Sequence, residues 1–162
     1  MKELTQIRDA VITALQGAGL RSEAAYPDRR VPKCTEALAS VSVGAAEGRA
    51  LGFCNYLGEC ADEHGGLREL YGKQLEGQIT VEIRAERAQT CEDGCETASG
   101  VLLGSLPEGI APGELRWEAM AWERETGLFL RKGTLSCQAL FTAWAGEDSE
   151  FLDFILKGAM KT

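Results

Sequence analysis

Six cysteines and a single histidine are the residues of this chain best suited to chemistry: Cys34, Cys54, Cys60, Cys91, Cys95, Cys137 and His64. Cys54 and Cys60 flank a glycine-containing turn, with His64 just beyond. A zinc site could be drawn from these three and one distant cysteine, but the spacing is not the two-to-four-residue knuckle of structural zinc sites. Cys91 and Cys95 stand one helical turn apart, where cysteine behaves as a small apolar residue, and Cys137 falls on the apolar side of a strand pattern. The opening residues Met1 to Ile7 lack the apolar core of a signal peptide, so the expectation is free thiols. Any catalysis by Cys34, Cys54 or Cys60 would depend on three-dimensional neighbours that lower the thiol pKa.

Other reactive patterns are missing. No serine or cysteine elbow surrounds His64, and there is no Gly-x-Ser-x-Gly. Gly44, Gly48 and Gly52 lack the Lys-Ser/Thr of a phosphate loop. Glu92, Asp93 and Glu96 cluster on the first turns of an expected helix, where acids are common for dipole reasons alone. The chain reads as non-enzymatic, with no catalytic, cofactor-binding or metal residues and no cofactor.

A length of 162 residues is most simply one domain, 1–162. Its size is enough to bury roughly two-thirds of the unfolded surface without metal or disulfide help. A net charge of −8 argues against wrapping of nucleic acid, which needs a basic footprint. No apolar run approaches a membrane span. The sequence thus predicts a cytoplasmic protein with neither a sequence-specific nucleic-acid partner nor a membrane partner. Nineteen glycines point to many tight turns between short strands.

The elements that would position these groups can be read from hydrophobic period. Leu4, Ile7, Val11 and Leu15 form a helical stripe ended by Gly17-Ala18-Gly19. The stripe fits a helix packed on the chain's own sheet better than one reserved for a partner. An irregular stretch, 21–35, carries Pro27, Pro32 and a small basic cluster including Arg29, Arg30 and Lys33. Leu38 to Val43 reads as a strand, with Glu47-Gly48 as the turn to a hairpin partner at 49–53. Residues of about 55–75 read as a long loop, with Leu67, Leu70 and Tyr71 hinting at a helical turn. Ile79, Val81, Ile83 and Ala85 alternate with polar residues, a strand with one buried and one wet face. Gln89 to Leu106 then turns helical, with Thr90 as the expected N-cap; Gly100 and Gly104 inside it weaken the helix and are candidates for close packing on the sheet. A crossover of this length lets the flanking strands run parallel.

Two more strands follow, Glu114–Glu123 and Thr134–Trp144, with Glu125-Thr126-Gly127 as a turn between them. Leu128-Phe129-Leu130 is a run of three apolar residues that breaks alternation. It is either a bulged strand packed internally or a subunit contact. The apolar tail at 151–156 should pack as a short strand or helix that closes the sheet. The predicted fold class is α+β: a mixed, mostly antiparallel sheet of four to five strands, packed by an N-terminal helix and a central helix.

This order of elements resembles the tail terminator and tail completion (head–tail joining) proteins of long-tailed phages. The residues that carry the resemblance are Leu4-Thr5-Gln6-Ile7-Arg8-Asp9-Ala10-Val11 at the start and the Gln78–Ala85 strand feeding the Cys91–Leu106 helix. Near the end they are Leu115–Trp122 paired with Leu135–Phe141. The resemblance spans nearly the whole chain in pattern and length; the six cysteines and the Cys54–His64 region are not features of that family. It implies a small phage or prophage subunit that assembles with copies of itself into a hexameric ring. The ring would end the tail tube and offer the surface to which the head joins. Its partners would be the major tail tube protein and the head–tail connector protein, and its place the bacterial host cytoplasm during assembly, then the virion tail. The alternatives are a head–tail connector or neck protein, or a cytoplasmic Cys/His metal- or redox-binding regulator. The oligomer interface expected from the residues is Leu128, Phe129 and Leu130, with Arg29, Arg30 and Lys33 docking on an acidic neighbour.

Overall fold

The computed structural model describes residues 2–25, 35–52, 54–61, 64–145 and 153–157. Among them are two helices and eight strand segments joined in one sheet. The helices are α1 (Lys2–Gly17) and α2 (Ala88–Gly104). The strands are β1 (Arg21–Ala24), β2 (Leu38–Ala50), β3 (Tyr56–Ala61), β4 (Leu67–Ala85), β5 (Ile110–Trp117), β6 (Ala121–Glu123), β7 (Leu128–Trp144) and β8 (Ile155–Leu156). The sheet's main path is β1-β2-β4-β7-β5. Only β1 pairs in parallel with its neighbour; the other pairings are antiparallel. The expected α+β architecture, with two helices on a mostly antiparallel sheet, is what the chain adopts. The sheet is larger than the four to five strands expected. β1 falls in the 21–35 stretch read as irregular, the first residues of the expected hairpin partner at 49–53 are the end of β2, and β3, β6 and β8 pair off the main path.

Both helices pack on one face. Ile7, Val11 and Leu15 of α1 and Cys91, Cys95, Ala98, Val101 and Leu102 of α2 join Ile79, Val81 and Ile83 of β4 and Leu135, Ala139 and Phe141 of β7 in one core. The α1 stripe is therefore spent on the chain's own sheet. Its end is a Schellman turn: Leu20 N–H bonds to Leu15 O at 3.1 Å and Gly19 N–H to Gln16 O at 3.0 Å, with Gly19 at φ +87 and Leu20 tucked into the core. The C-terminal segment is clasped by the same helix. Gln6 Nε2 donates to Phe154 O at 3.0 Å, and Leu156 N–H donates to Gln6 Oε1 at 2.8 Å. The apolar tail closes the sheet as β8 on β7.

Several sequence expectations fail for identifiable reasons. Glu47-Gly48 is no turn: β2 runs straight through it, with Glu47 opposite Glu76 and Gly48 opposite Leu75. The glycine is there because a Cβ would stand 3.1 Å from Leu75 Cδ2. The 55–75 loop is largely β3 and the start of β4, paired from Tyr56↔Tyr71 to Ala61↔Leu67. It hides from a periodicity search because both faces there are largely exposed. Thr90 does not cap α2. The helix starts at Ala88, three residues after β4 ends, with extended Arg87 as N-cap and no side-chain capping bond. The strand foreseen at Glu114–Glu123 breaks at 118–120 into β5 and β6, and the last long strand begins earlier, at Leu128. β4 and β5 do run in the same direction, as the crossover allows, but β7 lies between them.

In α2 the close-packing glycine is Gly94. A Cβ there would stand 2.9 Å from Ala37 Cβ and 3.0 Å from Ile83 Cγ2, whereas Gly100 and Gly104 have open space around them. Gly100→Ala should therefore raise stability by about 0.5–1 kcal/mol, the ordinary helical advantage of alanine over glycine. A urea midpoint that does not rise would contradict this placement.

Candidate assembly surface

The groups with chemical potential do not converge. Cys54 and Cys60 are exposed; Cys91, Cys95 and Cys137 are buried. Among the described residues no group of three His, Cys, Asp or Glu could hold a metal. Cys34 lies outside the described residues. Cys91 Sγ donates to Ile83 O at 3.4 Å, fixing α2 to β4. Its hydrogen bond with Cys95, together with burial, drives the Cys95 thiol pKa up, and burial alone pushes Cys137 up to about 11. Cys95 and Cys137 therefore stay protonated at neutral pH and act as core side chains.

The apolar run opens β7, with a strand on each side. Phe129 pairs with Ala85 of β4 and Trp122 of β6; Leu130 pairs with Arg84 and Ala121. Leu128 is only 4% exposed, and Phe129 and Leu130 are half-buried. Phe129 also makes an edge-to-face contact with Trp122, at 5.1 Å between ring centroids. Leu128→Asp would thus strike the fold before any subunit contact. The more exposed apolar group here is Trp122, at 55%. Arg29, Arg30 and Lys33 lie outside the described residues.

The sheet face opposite the helices is mostly polar, with Leu38, Leu128 and Leu130 at one end, and one built network stands on it. Arg84, opposite Leu38 and Leu130, donates to both carboxylate oxygens of Glu123 at 2.9 and 3.2 Å and pairs with Glu82 at 3.1 Å. Thr126 donates to the same Glu123 at 2.7 Å. The Arg84 hydrogen bonds hold the Glu123 carboxyl below the usual carboxylate range against the opposing effect of burial. On the helix side burial is the largest influence on Glu3 and pushes it up, but the Lys73 hydrogen bond and charge, together with backbone hydrogen bonding, outweigh it and Glu3 is also lowered. Lys73 further sits over the Phe154 ring, 4.3 Å from its centroid.

Both carboxyl pKa values are lower folded than unfolded. Their contribution is therefore present above the unfolded value of about 4.3 and lost as pH falls through the folded values. Melting temperature should be flat from pH 7 to about 5 and fall below that. Glu123→Gln should melt lower at pH 7 and show a shallower acid decline; an unchanged decline would remove Glu123 from the account.

What the chain presents outward is strand edge and strand tip. β4 has 19 residues, roughly 60 Å of extended chain, against about 25 Å for α2 with its 17. The helices cannot cover such a strand. Its first part, with β3, projects as a hairpin on which Tyr56, Leu57 and Leu67 are 41%, 42% and 73% exposed. Leu57 lies across Gly72, where a Cβ would come within 2.5 Å of Leu57 Cδ1. Trp144 faces Arg68 at 5.9 Å. Gly52, Cys54 and Asn55, all at positive φ, make the sharp excursion that carries β2 into β3. Beyond Val41, where β1 stops, the outer edge of β2 has no strand partner among the described residues, and neither has the outer edge of β5. No sequence signal marked these edges, because an edge is a property of pairing and not of composition.

No protein-family profile matches the chain, and no curated protein matches it. Among solved structures it is similar to a chain from the virion of a native gene transfer agent particle, at 18% identity over 84% of this chain and 90% of that one, with a TM-score of 0.33. A likeness that loose carries no argument about fold or role. No helix among the described residues is long and apolar enough to cross a membrane.

Proposed function

We propose that this chain is a non-enzymatic structural subunit of a phage-like virion, one that joins copies of itself into a ring. The ring, a hexamer, ends the tail tube and offers the surface for head joining. The observation that carries the reading is the pair of edges, β2 beyond Val41 and β5, that have no strand partner among the described residues on either side of β2-β4-β7-β5. These four strands alternate in direction. A second copy set beside the first in the same orientation therefore brings an antiparallel strand to each edge. A contact of this head-to-tail kind repeats until it closes, and closure removes the exposed backbone that makes a free edge a hazard.

The virion context comes from the resemblance in element order. The projecting β3–β4 hairpin, largely exposed and carrying Tyr56, Leu57 and Leu67 beside Glu59, Arg68 and Glu69, suits a subunit that must reach a neighbour along the tail. Its partners are then further copies of itself, the tail tube subunit and the head–tail connector protein. Adding the purified chain to tube subunits of the same virus during polymerisation tests this. Shortened tubes with a ring at one end in electron micrographs are expected. Tubes of unaltered length with bare ends would overturn the proposal.

A further inference from the structure

We infer that the subunit contact is one particular strand pairing: residues 46–50 of β2 in one copy against residues 113–117 of β5 in the next. The inference rests on the ring reading and adds its register.

The two edges carry the same pattern on the same face of the sheet. In β2, Glu47 and Arg49 stand opposite Glu76 and Gln74 on the polar face, with Arg49 3.8 Å from Glu76 and its side chain 65% exposed. In β5, Glu114 and Arg116 lie 3.5 Å apart, with side chains 75% and 78% exposed. Run antiparallel, the two patterns interlock. Glu47 falls opposite Arg116 of the second copy, and Arg49 opposite Glu114, the cross-strand arrangement in which opposite charges attract.

The same register matches sizes on the other face. Gly48 stands opposite core Leu75 within its own chain, so Ala46, Gly48 and Ala50 share the helix side. Leu115 and Trp117 stand opposite Leu135 and Gly133, which puts them on the helix side too. Pairing Glu47 with Arg116 then brings Ala46 to Trp117 and Gly48 to Leu115, small against large at both positions. Pro112, which has no N–H to give, falls just beyond the paired stretch. A two-fold pairing of β2 with β2 would also match Glu47 with Arg49. It would set Gly48 against Gly48, however, and leave the β5 edge bare.

Charge-swap variants of the full chain, followed by sedimentation over a concentration series, separate these cases. Glu47→Arg/Arg49→Glu should raise the concentration at half-assembly at least tenfold, and so should Glu114→Arg/Arg116→Glu. The fourfold variant, with both edges swapped, should return to within about threefold of the parent. All four positions are exposed, so unchanged melting curves are the control on folding. A β2 swap that assembles like the parent would overturn the proposed contact, because a two-fold β2 pairing survives that swap and an unused edge ignores it. A fourfold variant that stays dissociated would overturn it as well. A parent chain that never assembles would instead remove the ring reading beneath it.

Discussion

Gly94→Leu should lower the stability of this protein by about 3 kcal/mol, at the upper end of what overpacking costs. The site leaves no slack. Gly94 is buried on the sheet-facing side of α2, against Ala37 and Ile83 at distances already closer than a methyl group tolerates. To admit a side chain, α2 must lift off β2 and β4. That would stretch the Cys91 contact to Ile83 O and unseat Cys95, Ala98 and Leu102, which belong to the same buried stripe. Gly94→Ala should also destabilise, by about 1 kcal/mol or more, since the clash outweighs the helical advantage of alanine. Denaturant unfolding of Gly94→Ala beside Gly100→Ala gives a sharp comparison. Two substitutions with one chemistry, six residues apart on one helix, should move the midpoint in opposite directions. Equal shifts would mean that α2 does not lie as close to the sheet as described.

Phe141→Ala should cost about 3–5 kcal/mol, the range for deleting a fully buried aromatic side chain. Phe141 heads the fully buried side chains by volume and lies midway between two covers. On β7 it pairs with Lys73 on one side and Leu156 on the other, so its ring sits where α1, β4 and the C-terminal β8 meet. The hole would be bounded by β8, which is held chiefly by the two Gln6 hydrogen bonds and by its short pairing with β7. Local release of β8 is therefore expected before global unfolding. Hydrogen exchange should show early loss of protection at Leu156 and Lys157, whose N–H groups bond to Gln6 and to Leu140 O. A midpoint shift below about 1 kcal/mol would contradict the packing assigned to Phe141.

The parts of the fold legible in the sequence are those where one face is buried and the other wet. Ile79 to Ala85 and the α1 stripe were readable because core and solvent impose period 2 and period 3.6 on them. The start of β4 was not, because at Leu67 to Tyr71 solvent reaches both faces and nothing enforces alternation. Glycine misled twice. Gly48 suggested a turn, yet it sits within a strand beneath Leu75. Gly100 and Gly104 suggested close packing, yet Gly94 supplies it. In each case the glycine answers to a neighbour distant in sequence, which local reading cannot supply.

The candidate surface was harder still. Leu128 to Leu130 stood out as an apolar run, but β4 and β6 flank it on both sides. Glu47, Arg49, Glu114 and Arg116 look like ordinary solvated charges along the chain. Only the register of β2 against β4, and of β5 against β7, reveals that they share a face at opposite edges of one sheet.

The central claim is that copies of this chain close into a ring through its two open edges, and the most direct measurement is the native mass of the purified protein over a dilution series. The account predicts one discrete species of six subunits that gives way to monomer on dilution, without a ladder of longer chains. A monomer at every concentration, or an open-ended series of oligomers, would contradict it.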